Sequence, residues 1–378
     1  MRIAINTRFL LSHKMEGFGW YTYEIVRRLV KQHPEHEFIF FFDRPFHEKF
    51  VFGDNVTAVV LKPQARHPIL FYMWFEIAVR KALKRYNVDV FFSPDGYLSL
   101  KTDVKQVNVI HDINFEHNPE DIPGRALRYL QKYFPLFAKK SDHILTVSEY
   151  SKKDICSTYQ IDESKVTVAW NGASDVFKPL VETERPIIEQ QYAEGKPYLL
   201  FVGALHPRKN VQRLIQAFDQ MRQKDPACPY ELVIVGEKMF SRGHSTIQFS
   251  DELAEHIHFT GHLSLEELAR VMGAATVFTF VPYFEGFGIP LVEAMKCGTP
   301  ILAGNKTSLP EVAGDAAFYC DPFDLEDITQ KLIEICGNEK LRSELSTKGL
   351  ERSSLFSWDK SAEVVWSVIE KIANKTVV

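Results

Sequence analysis

Two glutamates, Glu285 and Glu293, bracket the run Gly286-Phe287-Gly288-Ile289-Pro290, which follows the apolar stretch Phe278-Thr279-Phe280-Val281. That stretch reads as a strand. Pro290 to Cys297 reads as a helix, with proline at its first position and Gly298 just past its end. Gly286 and Gly288 let a ligand approach the main chain closely. The amides of Phe287, Gly288 and Ile289, at a helix N-terminus, form an anion site. Glu285 is expected before the turn and Glu293 in the first turn of the helix. Taken singly, Glu293 also fits a partner of the helix dipole and Glu285 a solvated loop acid. Together they fit a ligand bearing phosphate and sugar hydroxyls, because a carboxylate accepts well from vicinal hydroxyls.

Three further loops carry polar groups at predicted strand ends. Tyr198 to Gly203 reads as a strand and leads into His206-Pro207-Arg208-Lys209-Asn210, with Asn210 a fitting N-cap for the next helix. Arg208 offers a forked donor to phosphate oxygens and Lys209 a compact charge; away from a strand end they would read as a surface basic pair. Near the start, Glu16-Gly17-Phe18-Gly19-Trp20 opens a helix after strand 2–6. Gly17 and Gly19 make half of a phosphate loop, but Thr22 stands where a dinucleotide fingerprint needs its third glycine. His111-Asp112 follows strand Val107 to Ile110 and suits a base, a donor or a satisfied core histidine.

Other constellations are missing. There is no His-Glu-x-x-His, no paired Cys-x-x-Cys, no Asp-x-Asp clamp and no Gly-x-Ser-x-Gly, so neither a required metal nor a serine hydrolase is expected. Lys and Arg total 45 against 49 Asp and Glu, a net charge of −4, which disfavours a nucleic-acid-coating protein. Five cysteines in 378 residues make no disulfide framework and suit a reducing compartment. No secretory h-region follows Met1. The aromatic run Phe38 to Phe42 is far shorter than a membrane span and reads as a buried strand.

The elements that must hold these loops alternate. Strands fit 2–6, 37–42, 56–61, 88–92, 106–110, 143–147 and 165–169, then 197–203, 230–235, 256–260, 276–281, 300–303 and 316–320. Helices fit 17–32, 69–86, 124–140 and 149–159, then 210–224, 264–273, 290–297, 324–336 and 338–349. Apolar strands alternating with amphipathic helices predict parallel sheets covered on both faces. The polar stretch 182–196, with Pro186, Gly195 and nearby Pro197, reads as a linker, and we place the break near 172–195. A last helix opens at Ser357-Trp358-Asp359, after the second domain is complete.

These residues resemble glycosyltransferase family 4, retaining enzymes of the GT-B fold. The resemblance rests on Glu285 and Glu293 at their spacing, on Arg208-Lys209-Asn210, on Ser308-Leu309-Pro310-Glu311-Val312-Ala313-Gly314, on His111-Asp112 and on Phe356-Ser357-Trp358. The subgroup it resembles is bacterial polysaccharide mannosyltransferases. The resemblance implies an α/β chain of two Rossmann-like domains facing each other across an inter-domain cleft. The acceptor domain would span 1–178 and the nucleotide-sugar domain 190–356, with 357–378 returning to the first. It implies metal-independent transfer of a hexose, mannose favoured, from a nucleoside-diphosphate sugar (GDP-mannose favoured) to a glycan or lipid-linked hydroxyl. Arg208 and Lys209 would hold the diphosphate, Glu293 the ribose, and Glu285 the transferred sugar, with Phe287, Gly288 and Ile289 nearby. Gly17 and Gly19 would approach the phosphate, and His111 would contact the sugar. The base would lie near Gly236, Glu237, Lys238 and Leu263. Trp20 departs from the polar or basic residue many relatives carry there.

For the acceptor, helix 124–140 interleaves Arg125, Arg128, Lys132, Lys139 and Lys140 with Tyr129, Tyr133, Phe134 and Phe137, and 66–75 is also aromatic. Such a helix suits an anionic membrane surface, or else turns its aromatics to the core. A cytoplasmic protein with a place at the inner face of the membrane is expected. Rival readings are a two-domain sugar-binding protein and a GT-B epimerase or phosphorylase.

Overall fold

The computed structural model describes residues 1–12, 15, 17–237 and 247–375. Two compact units divide the chain: Met1–Asn171 with Ser357–Val378, and Gly172–Phe356. The first carries β1 (Arg2–Asn6), β2 (Glu37–Phe42), β3 (Val56–Val60), β4 (Val90–Ser93), β5 (Lys105–Val109), β6 (His143–Thr146) and β7 (Val166–Val168). They lie in the order β3-β2-β1-β4-β5-β6-β7, and every pairing is parallel. The second carries β8 (Tyr198–Val202), β9 (Glu231–Val235), β10 (Ile257–Gly261), β11 (Val277–Phe280), β12 (Ile301–Gly304) and β13 (Ala317–Cys320). Their order is β10-β9-β8-β11-β12-β13, again parallel. Both units are thus Rossmann-like.

A parallel sheet covered on both faces needs strands that are apolar throughout rather than alternating. β4, β8, β9 and β11 are buried at every position, and Phe38 to Phe42 lie in the core. The edge strand β3 is only part-buried. In each sheet the strand order reverses between two neighbours, β1 and β4 in the first and β8 and β11 in the second. Ligands of open α/β sheets bind outside the carboxyl ends of the strands at such points.

The helices follow the apolar periodicity, with two departures. The stretch read as a linker holds the helix Arg185–Ala193, with Pro186 in its first turn and Ile188 and Ala193 buried. Arg185 Nη1 ties it to the Ala274 carbonyl at 2.7 Å. Few apolar residues were needed because only one narrow stripe is covered. The predicted helix 69–86 breaks into Pro68–Met73, a wider π-type stretch Trp74–Val79, and Arg80–Arg85. The extra residue per turn brings Trp74, Phe75 and Glu76 inward together. There Glu76 accepts from the amides of Leu100 and Lys101 at 2.7 and 3.1 Å. Helix Gly124–Lys140 forms where expected and, of its two readings, takes the one in which Tyr129, Phe134 and Phe137 turn into the core.

The last helix, Trp358–Asn374, belongs to the first unit. Val365, Val368, Ile369 and Ile372 are buried, and Trp366 stacks on His33 with ring centroids 3.5 Å apart. Arg28 Nε donates to Asp359 at 2.6 Å, and Ser361 Oγ donates to the Trp170 carbonyl. Replacing the fully buried Ile369 by Ala should destabilise this unit by about 2–5 kcal/mol. Urea unfolding followed by tryptophan fluorescence measures it; an unchanged midpoint would contradict the packing described.

Candidate functional site

In the second unit two loops leave the switch point side by side, one after β8 and one after β11. The β8 loop ends in a short turn, Pro207–Lys209, and Asn210 then takes a left-handed backbone, φ 61°. Its side chain makes no cap bond to the following helix. Instead Asn210 Nδ2 donates to the carbonyls of Val281 and Pro322 at 3.0 and 2.7 Å, tying the β8 loop to the loops after β11 and β13. Arg208 and Lys209 are thereby held at the strand ends. Lys209 is largely buried, its ammonium 4.9 Å from the centre of the Phe280 ring.

After β11 the chain passes Glu285 and turns into helix Ile289–Cys297, with Pro290 near its start and Gly298 left-handed at its end. Gly288 has φ 92°, and a Cβ there would lie 3.1 Å from Leu309. Glycine therefore serves both backbone and packing. Phe287 is buried edge-on against Phe356, so its side chain faces away from solvent while its amide belongs to the helix entrance. The Glu285 main chain is pinned on both sides: its amide donates to Thr307 Oγ1 at 3.3 Å, and its carbonyl accepts from Ser308 Oγ at 2.9 Å.

The carboxylate of Glu285 meets both cations. Arg208 Nη1 donates to Oε2 at 2.7 Å and Lys209 Nζ to the same oxygen at 2.6 Å. Arg208 Nη1 also lies 3.2 Å from the Phe284 carbonyl. Burial opposes ionisation of Glu285, but the two cations outweigh it and hold its carboxyl below the ordinary range. Glu293 differs. It lies in the second turn of its helix, not the first, since the first turn holds no acid. Burial alone pushes its pKa up to about 7, and its carboxyl is near the Cys297 thiol.

The remaining predicted residues of this unit surround β8, β9 and β10. Gly236 takes φ 149°, and a Cβ there would collide with the Gly203 carbonyl at 2.0 Å. Its amide donates to Gly261 at 2.9 Å, and the Glu237 carbonyl accepts from Leu205 at 3.2 Å. Leu263 is half-buried two residues beyond. Lys238 and Glu16 lie outside the described residues. Among the described residues no group of three or more His, Cys, Asp and Glu side chains is placed to hold a metal ion.

In the first unit, His111 leaves β5 beside the β1–β4 switch point. Its Nε2 is 2.9 Å from the Pro94 carbonyl. That partner can only accept, so Nε2 carries the proton and Nδ1 is the acceptor. Burial lowers its pKa, against the bond to Pro94 and the nearby Asp112 and Asp95, so the ring is neutral at pH 7. Phe18 and Tyr21 pack against the ring at 4.9 and 4.7 Å. Gly17 has open space around it, whereas a Cβ on Gly19 would lie 2.7 Å from the Phe9 carbonyl; the chain itself demands Gly19. Sequence reading missed a buried cluster at this point. Arg8 Nε donates to Asp95 Oδ2 at 2.6 Å, and Asn6 Nδ2 donates to Ser93 Oγ and Asp95 Oδ2 at 3.0 and 2.8 Å. The signal was available, since Arg8 and Asp95 each stand two residues past a strand end.

Comparison with known proteins matches residues 15–175 to the Glycosyltransferase Family 4 model and residues 184–352 to the model of Glycosyl transferases group 1. O-antigen chain mannosyltransferase B of Escherichia coli is 27% identical over 92% of this chain and 94% of its own length. Among solved structures, sucrose-phosphate synthase of Thermosynechococcus elongatus superposes with a TM-score of 0.77 at 18% identity, covering 98% of both chains. Anabaena Alr3699/HepE, in complex with UDP-glucose, does so with 0.74 at 16% identity over 98% of this chain and 100% of that one.

The raised pKa of Glu293 has a sign. An acid whose folded pKa lies above the usual 4.5 contributes stability that is present at low pH and lost as pH climbs towards about 7. Glu293→Gln should therefore be more stable than the parent at pH 8 by about 1–3 kcal/mol, with the gap shrinking at pH 5. Urea unfolding at both values tests it, and an equal gap at each would contradict it.

Proposed function

We propose that this chain, which belongs to the family 4 glycosyltransferases, moves a hexose, mannose favoured, from a nucleoside-diphosphate sugar to a hydroxyl of a glycan or lipid-linked acceptor. The observation that carries the reading is the meeting of Arg208, Lys209 and Glu285 at the β8–β11 switch point, next to a helix N-terminus. Two cations and a row of amides suit a diphosphate, and two carboxylates suit hydroxyls. The mannosyl preference and a role in polysaccharide assembly follow the E. coli O-antigen relative; GDP-mannose is the corresponding donor.

As the bond between anomeric carbon and diphosphate lengthens, negative charge gathers on the leaving oxygens. Arg208, Lys209 and the amides of Phe287, Gly288 and Ile289 receive it without rearranging. Glu285 accepts from hydroxyls of the transferred sugar and Glu293 from the ribose. His111, neutral and with Nδ1 free to accept, is assigned to a hydroxyl of the sugar, Gly17 and Gly19 to the phosphate, and Gly236, Glu237, Lys238 and Leu263 to the base. The acceptor hydroxyl attacks the face the diphosphate leaves, and a leaving phosphate oxygen takes its proton, so the anomeric configuration is retained. This route asks for no covalent carboxylate and no metal.

The acceptor is assigned to the first unit. Ile69, Tyr72, Met73 and Ile77 are exposed on the helical segment that ends in Arg80, Lys81, Lys84 and Arg85. Arg125, Arg128, Lys132 and Lys139 line the exposed face of Gly124–Lys140. An apolar strip beside basic residues suits an anionic bilayer, where a lipid-linked acceptor would be met. No helix among the described residues is long and apolar enough to cross a membrane.

Three measurements test this. Thermal shifts against nucleoside diphosphates and their sugars should rise with one base, and no shift with any would contradict the donor site. Arg208→Ala and Lys209→Ala should each lower kcat by about 10²–10³ in a folded protein, by analogy with the loss of one oxyanion donor; near-parental turnover in either would remove the assignment. The protein should float with anionic vesicles at low salt and release at high salt, and Ile69→Glu with Ile77→Glu should weaken flotation. Absence of binding by the parent would refute the membrane reading.

A further inference from the structure

Glu285 holds both phosphate-binding cations through one oxygen, Oε2, at 2.7 and 2.6 Å. In the donor reading the same carboxylate must serve the sugar. A carboxylate has a second oxygen for hydroxyls, but phosphate oxygens drawn to the same two cations would be repelled by Oε2. We propose that Glu285 stands in for a phosphate oxygen in the donor-free protein, and that donor binding is an exchange. The diphosphate takes Arg208 and Lys209 from the carboxylate, and the carboxylate turns to the hydroxyls of the incoming hexose. The proposal rests on the donor site described above and adds a property to it: selectivity for the intact donor over the free nucleoside diphosphate.

Paired charges drive the exchange. Glu285 is only 13% exposed as a side chain, and Lys209 10%. A charge so placed is costly without a partner. A sugar nucleotide supplies partners to all three groups, phosphate oxygens to the cations and hydroxyls to the carboxylate. A free diphosphate satisfies the cations but leaves Glu285 with nothing in exchange for its two charge-assisted bonds. The intact donor is therefore favoured, and the diphosphate product, once its sugar has moved on, is displaced by the returning carboxylate. The motion required is small. Thr307 Oγ1 and Ser308 Oγ fix the main chain of Glu285, so the exchange is a side-chain rotation. Asn210 meanwhile holds the cation loop in place through Val281 and Pro322.

Neutralising the carboxylate while keeping its shape separates its two roles. Glu285→Gln should lose transfer yet bind the free nucleoside diphosphate about tenfold tighter than the parent, because the cations no longer need to be won from a charged partner. Its affinity for the sugar nucleotide should not rise, so the preference for the intact donor should collapse. Isothermal titration with GDP, UDP, GDP-mannose and UDP-glucose reads both affinities, and Glu285→Ala repeats the test should the Gln variant fold poorly. A merely structural role would weaken both ligands together. If the parent binds a diphosphate and neither variant binds it more tightly, the exchange is overturned while the donor site stands. If no member of the panel binds the parent, the donor site itself falls and the exchange with it.

Discussion

The chemistry of the second unit depends on one electrostatic constraint: three charged side chains share a half-buried place where two parallel strands part. Arg208, Lys209 and Glu285 come from loops after β8 and β11, and neither sign of charge could be left there alone. The sheet provides the place by reversing its strand order. Asn210 fixes the distance between the loops, and Thr307 and Ser308 fix the acid. Two cations against one carboxylate leave the trio with a net charge of +1, so a ligand that displaces Glu285 must bring negative charge to the cations and donors to the acid. That requirement favours a molecule bearing both anionic oxygens and hydroxyls.

The two acids show how one residue type is tuned in opposite directions. Glu285 is held ionised by its cations. Glu293, on the second turn of the helix, has burial with no compensating cation among the described residues, and its pKa climbs to about 7. A proton there near neutrality makes the capacity of Glu293 to accept from hydroxyls depend on pH, whereas the two cations favour the ionised form of Glu285. The first unit follows a similar logic with a histidine. The Pro94 carbonyl fixes the His111 tautomer, and burial keeps the ring neutral.

Much of the fold was legible because parallel strands buried on both faces are written as unbroken apolar runs. Phe38 to Phe42 and Tyr198 to Val202 are such runs, short and bounded by polar or turn residues. Helices 17–32 and 124–140 were equally clear from their stripes. What escaped were elements with weak stripes, such as Arg185–Ala193, and the π-type stretch Trp74–Val79, whose inward neighbours break the helical period. In the site, residue types and loop positions could be read, because glycine and proline mark the turn before Ile289–Cys297. The partnerships could not. Lys209 and Glu285 are 76 positions apart, and sequence gives no sign that the acid assigned to sugar closes on the cations assigned to phosphate. The Arg8–Asp95 pair escaped for the same reason, its partners being 87 positions apart.

A crystal structure of the protein soaked with its nucleoside-diphosphate sugar would show which groups hold the two cations once the donor is bound. Phosphate oxygens are expected at hydrogen-bond distance from Arg208 Nη1 and Lys209 Nζ, with the Glu285 carboxylate rotated onto the hexose. A diphosphate bound elsewhere, with Glu285 still bridging the two cations, would contradict the exchange.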